Sequence, residues 1–256
     1  MVYYSGNVSW GLKSVSGELS GFLGSCNLAG TMNVRLFHDL LELIFPHCCP
    51  GCGQSLVRGE GQICLKCSHD LPVVQAVTEV EQRLQGRVPL EEIRAFLYFQ
   101  SGGLTQRLLH DFKYKGNTEL GQELARAFGR ALLELKAFRT VDLIVPVPLH
   151  STKTLQRGFN QSEVIARQLG EVLSLPVSSS ALKRHKKSET QTRKAREDRW
   201  RNVENIFSVV SKEVRHKHLL LVDDVITTGA TLESCSETLI DAGAGSISIA
   251  VLAMAT

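Results

Sequence analysis

The sequence predicts an α/β fold, with a mostly parallel, doubly wound sheet flanked by helices and a small metal-stapled segment in front of it. Two observations lead to this expectation. From Ile93 onward, short hydrophobic segments alternate with segments of helical periodicity, a pattern typical of βαβ units. Before them, residues 46–75 are rich in cysteine, glycine and proline and hold few apolar residues, so this segment needs a staple other than a hydrophobic core.

Each strand and helix of the α/β region has its own signal. The strands are predicted over 93–99, 142–148, 205–210, 218–224 and 246–253, with a further short strand near 175–180. Two of these, 142–148 and 218–224, are nearly continuous hydrophobic runs, as expected of parallel strands that are buried on both faces. Helical periodicity predicts helices near 103–111, 119–138, 161–174 and 230–242.

The amino-terminal region divides into several segments. Residues 1–31 are rich in glycine and serine and lack periodicity, and Met32 stands just before the first segment with helical spacing, 34–45. We therefore expect the native chain to begin at Met32; the alternative is a genuine disordered tail. The expected organisation is a doubtful extension over 1–31, a helix plus a four-cysteine segment over 32–75, a charged connector over 76–92, and the α/β domain over 93–256.

Composition and charge exclude several classes of protein. With 43% hydrophobic and 21% charged residues among 256, the chain is not disordered as a whole. The net charge of +3 is too small to indicate nucleic-acid binding by itself, although residues 183–201 carry nine Lys or Arg and three Asp or Glu. Neither a membrane-spanning run nor a secretory signal is present. We therefore expect a cytoplasmic protein whose cysteines are metal ligands or free thiols.

Four of the seven cysteines form two C-x-x-C pairs, Cys49 with Cys52 and Cys64 with Cys67. Two such turns place four thiolates around one Zn²⁺, and metal binding supplies folding energy to a segment that lacks a core. Four protein ligands leave no open position, so the predicted zinc is structural. The alternative is redox chemistry, which usually uses a single pair at the start of a helix. Neighbouring residues that could replace one of the four ligands are Cys48, His47 and His69.

The segment from His218 to Cys235 predicts a phosphate site. A buried strand ends in two carboxylates, a short threonine and glycine loop follows, and a helix begins. Ligands of open α/β sheets bind at the carboxyl ends of the strands. Inward-facing backbone N–H groups, three hydroxyls and the positive end of a helix dipole form a cradle for a monophosphate. The residues of this predicted cradle are Thr227, Thr228, Gly229, Ala230 and Thr231.

The two carboxylates, Asp223 and Asp224, extend the predicted site. They can accept hydrogen bonds from a cis-diol or hold Mg²⁺ indirectly, so a phosphate cradle beside them fits a ribose 5-phosphate. Ordinary helix capping explains one Asp and one Thr, but not two adjacent acids and three threonines around a glycine. The P-loop of NTPases is excluded because the Gly-Lys-Ser/Thr of that motif is missing.

The segment VDDVITTGAT resembles the phosphoribosyl-diphosphate-binding signature of type I phosphoribosyltransferases. The chain from about Met32 is similar, more narrowly, to the ComF family of competence-associated phosphoribosyltransferase-like proteins. The cysteine pairs together with RGFNQ narrow the resemblance to this family. The matching stretches, in the family's order, are the cysteine pairs, HDFKYKG (110–116), VPVPLH (145–150), RGFNQSEVIA (157–166), QTRKAREDRWRNVENIF (191–207) and VDDVITTGATLESC (222–235).

The resemblance implies a type I phosphoribosyltransferase fold with an amino-terminal zinc knuckle or ribbon. It implies that Asp223 and Asp224 face the ribose as catalytic residues, that residues 227–231 hold the 5-phosphate, and that Mg²⁺ bridges ribose and diphosphate oxygens. Basic residues must then neutralise the departing diphosphate. The candidates are Lys113, Lys115 and Arg157, for which the alternative is plain solvated surface charge.

Two classes of function follow from the resemblance. The first is an enzyme that binds phosphoribosyl diphosphate and transfers the phosphoribosyl group to a nitrogen nucleophile. The second is a non-catalytic component of DNA uptake that binds single-stranded DNA, with helicase-like and recombination proteins among its partners. The basic segment 183–201 fits a loop that closes over the diphosphate, a disordered surface loop, or a single-strand contact with Trp200 beside arginines.

Overall fold

The computed structural model describes residues 46–75, 82, 84, 86–185 and 206–256. Several predictions lie outside these residues: the extension 1–31, the helix 34–45, much of the connector 76–92, and the basic segment beyond residue 185. Within the described ranges, none of the helices combines the length and the apolar character that crossing a bilayer demands.

The helices and strands follow one another in an alternating order. They are α1 (Leu65–His69), β1 (Glu92–Phe99), α2 (Leu104–Tyr114), α3 (Thr118–Leu133), a 3₁₀ turn (Lys136–Thr140), β2 (Leu143–Pro146), α4 (Ser151–Arg157), α5 (Gln161–Leu173), β3 (Leu182–Arg184), β4 (Phe207–Val209), a 3₁₀ turn (Lys212–Val214), β5 (His218–Ile226), α6 (Ala230–Asp241) and β6 (Ser246–Ala255).

The central sheet has the strand order β1-β6-β5-β2, and all three pairings are parallel. β5 and β6 occupy the middle, which explains their long hydrophobic runs, because both faces of a central parallel strand are covered. Val177 extends the β2 edge through an isolated parallel bridge to Ile144, at the place of the short strand predicted near 175–180. β3 and β4 form a separate antiparallel hairpin. The predicted parallel sheet flanked by helices is confirmed.

Side chains of β5 alternate between two apolar layers, as the period of a strand requires. Leu220 and Val222 pack in the layer that contains α2, α3 and α5. Leu219 and Leu221 pack in the opposite layer, which contains α6 and the β3–β4 hairpin. The sheet is therefore covered on both faces. Its four parallel strands end at one edge, so the residues that follow β5 and β2 are brought close together there.

The structure differs from the sequence-based expectation in several elements, among them the short helix α1, which was not predicted. The helix predicted over 119–138 ends at Leu133 and is followed by a 3₁₀ turn. α4 was not predicted because it is short and polar, and its one leucine, Leu155, is 87% exposed. β3 was not predicted because a three-residue strand carries too few alternating positions to form a pattern.

Candidate functional site

The four cysteines of the two C-x-x-C pairs come together in the structure. The sulfurs of Cys49, Cys52, Cys64 and Cys67 all lie within 4.8 Å of one another, and three of the four residues are buried. Amide groups support two of the sulfurs: the Cys64 N–H donates to Cys49 Sγ and the Cys67 N–H donates to Cys64 Sγ, each at 3.4 Å. This ligand set suits a tetrahedral metal such as zinc.

The neighbouring candidates do not join this group in the described part of the chain. Cys48 Sγ instead faces the Pro46 carbonyl at 3.5 Å and is exposed. His69 Nδ1 pairs with Asp70 Oδ1 at 3.3 Å. The arrangement with four cysteine ligands and no open position is therefore the one that these residues form, which agrees with a structural metal site.

The thiols of this group differ in acidity. Burial opposes ionisation of Cys49, but amide donors, Cys64 foremost, outweigh it and lower the pKa of this thiol to about 7. Burial raises the pKa of Cys67, and the neighbouring sulfurs raise it further. Four close thiols cannot all ionise without a counter-charge, and a bound divalent cation would supply that charge.

The knuckle formed by residues 46–70 packs directly on α2 and α3. Arg107 Nε of α2 donates to the Gly51 carbonyl at 2.7 Å. The Gln62 N–H donates to Glu123 Oε2 of α3 at 2.6 Å. Gly51 has no room for a side chain, since an added Cβ would lie 2.6 Å from Leu104 Cδ1 of α2. The metal group is thereby tied to α2, the helix that also carries Lys113.

The predicted phosphate loop lies between β5 and α6. Residues 227–229 form a bend, and α6 begins at Ala230. Gly229 precedes the helix with φ 84°, a conformation that costs other L-residues about 1–2 kcal/mol. Gly229 offers no side-chain acceptor to the first turn of α6, and the Ala230 N–H reaches Thr228 Oγ1 only at 3.5 Å, so the N-terminal N–H groups of this helix suit an anionic ligand. Thr231 stands in the first turn, as expected.

The two carboxylates of the site have different partners. Asp223 Oδ1 accepts two hydrogen bonds at 2.8 Å, one from Ser162 Oγ and one from the Asp224 N–H. Asp224 Oδ2 pairs with Lys113 Nζ at 2.9 Å. Because the donors are concentrated on one oxygen of each carboxylate, Asp223 Oδ2 and Asp224 Oδ1 are the oxygens best placed to accept from a ligand.

Asp223 is the titratable group that the site perturbs most clearly. Burial raises its pKa to about 7, and the adjacent Asp224 carboxylate adds to this effect. The Ser162 hydroxyl, the Asp224 N–H and Lys113 act in the opposite direction, because each favours the ionised form. A carboxylate that titrates near neutral pH at the carboxyl end of a strand is typical of a functional site.

Ser162 was not identified from the sequence. It lies in the first turn of α5, where Asn160 caps the helix by accepting from the Ser162 N–H at 3.2 Å. Asn160 also donates to the Val147 carbonyl at 3.0 Å, which holds the start of α5 beside the end of β2. The signal that could have identified Ser162 is its position directly after RGFNQ, at the start of a predicted helix. That helix begins at the sheet edge where the acidic pair lies.

The three predicted basic residues differ in their surroundings. Lys113 contacts the acidic pair, as described. Lys115 Nζ pairs at 2.7 Å with Asp111 Oδ1, one turn earlier on α2, and its side chain is 69% exposed. Arg157 has two side-chain hydrogen-bond partners. Its Nη1 donates to Gln161 Oε1 at 2.8 Å and its Nη2 donates to the Tyr114 hydroxyl at 3.2 Å.

Arg157 also has an unsatisfied donor. Its Nε is buried and has no hydrogen-bond partner among the described residues, while its guanidinium carbon lies 5.0 Å from the centre of the Tyr114 ring. The guanidinium is thus held between Gln161 and Tyr114, and its buried Nε–H has no partner among the described residues. The structure brings Lys113 to the acidic pair. Arg157 contacts Gln161 and Tyr114, the residues next in sequence to Ser162 and Lys113, and Lys115 is held on the exposed side of α2.

Comparison with known proteins agrees with this fold. The family model described as "Phosphoribosyl transferase domain" matches residues 114–255, which include β2, β5, β6 and the residues of the predicted phosphate site except Lys113; the four cysteines lie before the match. Since the match covers more than half of the chain, the chain belongs to the phosphoribosyl transferase domain family.

Curated relatives narrow this assignment to the ComF family. Competence protein F of Haemophilus influenzae is 36% identical over 153 residues, 58% of this chain and 67% of the relative. DNA utilization protein YhgH of Escherichia coli is 34% identical over 148 residues, which are 56% of this chain and 63% of the relative. Competence protein ComFC of Bacillus subtilis is 26% identical over 198 residues, which are 76% of this chain and 78% of the relative. The chain thus spans about two thirds of the length of the first two relatives.

A solved structure with a similar domain is glutamine phosphoribosylpyrophosphate amidotransferase from B. subtilis. Its TM-score is 0.40 at 19% identity, and the match covers 56% of this chain and 30% of that chain.

Proposed function

We propose that the protein binds phosphoribosyl diphosphate with Mg²⁺ in the cytoplasm and transfers the phosphoribosyl group to a nitrogen acceptor. The observation that carries this proposal is the placement of a phosphate loop, with Gly229 at positive φ, directly after the carboxylates of Asp223 and Asp224. A phosphate cradle and a pair of diol acceptors at one strand end match the two ends of a ribose 5-phosphate.

The chemistry assigns a different task to each group. The loop 227–231 would hold the 5-phosphate, and the remaining oxygens of Asp223 and Asp224, Oδ2 and Oδ1, would accept hydrogen bonds from the ribose hydroxyls. Positive charge develops on the ribose as the bond to the diphosphate breaks, and these carboxylates stabilise that charge. Lys113 and Arg157 would neutralise the negative charge that collects on the departing diphosphate. Mg²⁺, which Asp223 and Asp224 would hold indirectly, would neutralise part of that charge.

Isothermal titration of the full chain with phosphoribosyl diphosphate and Mg²⁺ tests the proposal. We expect saturable heat, and we expect diphosphate release once a suitable nitrogen nucleophile is added. Absence of binding heat at millimolar ligand would contradict the proposal.

The affinity for phosphoribosyl diphosphate should rise with pH through about 7. The ionised form of Asp223 is the better acceptor for ribose hydroxyls, and its pKa lies at about 7 in the free protein. Ser162→Ala removes a donor that favours ionisation, so the midpoint of this rise should move to higher pH, whereas Ser162→Thr should keep it. Titrations across this pH range measure the midpoint for each protein. Titration of the ligand's own phosphates affects the wild type and both variants equally. An unchanged midpoint in Ser162→Ala would therefore contradict the role of this hydroxyl.

A second function is favoured by the names of the relatives, competence protein F and DNA utilization protein. Here the chain would act in DNA uptake as a component that binds single-stranded DNA or helicase-like and recombination proteins. The basic segment 183–201, which lies mostly outside the described residues, supplies the positive charge that such binding needs.

This second function predicts salt-dependent binding to single-stranded DNA. Replacing Arg193, Lys194, Arg196 and Arg199 by glutamine should reduce the slope of log affinity against log salt by up to about 3, because each lost phosphate contact contributes about 0.7. Fluorescence anisotropy with a labelled oligonucleotide measures this slope. A matched control neutralises four exposed basic residues elsewhere, namely Lys66, Arg130, Lys136 and Arg139. Equal slopes in the two variants would count against binding through this segment.

A further inference from the structure

We propose that Arg87, in the connector before β1, is a positioning residue that sets the orientation of the Thr228–Gly229 peptide, so that the Gly229 N–H faces the 5-phosphate. This role rests on the proposed function, because it concerns the same phosphate loop. Arg87 lies outside every motif that identified the site, and 141 positions separate it from Thr228 in the chain.

The contact that carries this inference is a hydrogen bond to the backbone of the loop. Arg87 Nη1 donates to the Thr228 carbonyl oxygen at 3.2 Å. A trans peptide is planar, and its C=O and N–H point in opposite directions. None of the described peptide bonds is cis. The N–H of Gly229 belongs to the same peptide as the Thr228 carbonyl, so it is directed away from Arg87. A donor outside the loop thus fixes an N–H on its inner side.

The connector holds Arg87 firmly enough for such a role. Leu84 and Val88, on either side of it, are 1% and 7% exposed and pack in the apolar core. The chain turns at Gly86, where φ is 74°, and the Arg87 N–H donates to the Leu84 carbonyl at 3.1 Å. The Glu91 N–H then bonds to the Ile247 carbonyl of β6 at 2.9 Å. These anchors place the guanidinium against the loop while leaving its side chain 48% exposed.

A competing role for Arg87 involves Glu233. The same Nη1 lies 3.5 Å from Glu233 Oε2, in the first turn of α6, where a carboxylate opposes the binding of a phosphate. Neutralising that carboxylate would also assist phosphate binding. The two roles give different results when Glu233 is removed: a role through Glu233 disappears with it, whereas a role through the Thr228 carbonyl persists.

The test measures two parts of the ligand separately on the full chain. Isothermal titration with ribose 5-phosphate measures the affinity of the phosphate loop, and titration with diphosphate plus Mg²⁺ measures the affinity of the opposite end of the site. Arg87→Met should lower the affinity for ribose 5-phosphate by about tenfold and leave the affinity for diphosphate unchanged. The double variant of Arg87→Met with Glu233→Gln should stay as weak as Arg87→Met alone. Arg139→Met, an exposed arginine before β2, is the matched control and should bind like the wild type.

Several results would overturn this role of Arg87. Restoration of ribose 5-phosphate affinity in the double variant would assign the effect to Glu233. Equal losses for both ligands, or a lower thermal unfolding midpoint that accounts for the loss, would show a general structural role. Unchanged affinity in Arg87→Met, with wild-type protein that binds ribose 5-phosphate, would reject the inference alone. Wild-type protein that binds neither ligand would reject the proposed function together with it.

Discussion

Replacement of both carboxylates, Asp223→Asn with Asp224→Asn, should reduce the affinity for phosphoribosyl diphosphate by at least about 100-fold. A hydrogen bond to a charged acceptor is worth about 1.5–3 kcal/mol, and two such acceptors are lost together. Isothermal titration with Mg²⁺ measures the change. Asp241→Asn, at the far end of α6, alters an exposed carboxylate and should bind like the wild type.

The same double variant should fold about as stably as the wild type, because two effects oppose each other. The pKa of Asp223 is raised on folding, so its contribution to stability is fully present only at low pH and is lost as the pH rises through about 7. At pH 8 the ionised, partly buried Asp223 beside Asp224 therefore destabilises the fold, by on the order of 1 kcal/mol. Asparagine at 223 removes this cost, whereas asparagine at 224 removes the ion pair with Lys113. Thermal unfolding at pH 8 should therefore show a midpoint close to that of the wild type. A large fall in the midpoint would mean that the binding loss reflects misfolding.

This variant also separates the two functions in a host that takes up DNA. If uptake fails in cells that carry Asp223→Asn with Asp224→Asn, ligand binding at this site is required for the process. Normal uptake would mean that the cell uses the protein through another surface, such as the basic segment 183–201.

Removal of the metal from the four-cysteine group should unfold the knuckle. Structural zinc contributes on the order of 10 kcal/mol of binding free energy in small domains, and residues 46–70 have few apolar contacts to replace it. Cys64→Ser with Cys67→Ser should abolish metal binding, measured by elemental analysis, and should open the knuckle to limited proteolysis. The matched control is Cys48→Ser, an exposed thiol next to the group, which should retain the metal.

Unfolding of the knuckle should also weaken ligand binding at the predicted phosphate site. Gly51 receives a hydrogen bond from Arg107 and packs against Leu104, and both of these residues belong to α2. α2 carries Lys113, whose ammonium group pairs with Asp224. We therefore expect the metal-free protein to bind phosphoribosyl diphosphate more weakly. Full metal content in Cys64→Ser with Cys67→Ser, or an intact knuckle after metal removal, would contradict a structural metal site.

Local signals in the sequence predict the main parts of the fold and of the candidate site. Asp223, Asp224 and the loop 227–231 are contiguous, so their chemistry can be inferred without knowledge of distant contacts. The four-cysteine group can also be predicted from local sequence, because two short C-x-x-C spacings bring four ligands together. The parallel strands follow from their unbroken hydrophobic runs, since burial on both faces leaves no alternation to obscure them.

The parts that the sequence could not supply depend on contacts between distant segments. Ser162 of α5 donates to Asp223 of β5, and Arg87 of the connector donates to the Thr228 carbonyl. No spacing rule joins residues that are 61 or 141 positions apart. Lys113 and Lys115 look equivalent in FKYKG, yet the turn of α2 directs one toward Asp224 and the other toward Asp111. Their roles in ligand binding remain predictions that the titrations address.

A crystal structure of the full chain with phosphoribosyl diphosphate and Mg²⁺ tests the central claim most directly. The account predicts that the 5-phosphate lies within hydrogen-bond distance of backbone N–H groups in 227–231, and that the ribose hydroxyls contact Asp223 and Asp224. It also predicts that the diphosphate lies beside Lys113 and Arg157. A ligand bound elsewhere on the molecule, or one in the reverse orientation with its diphosphate in the 227–231 loop, would contradict it.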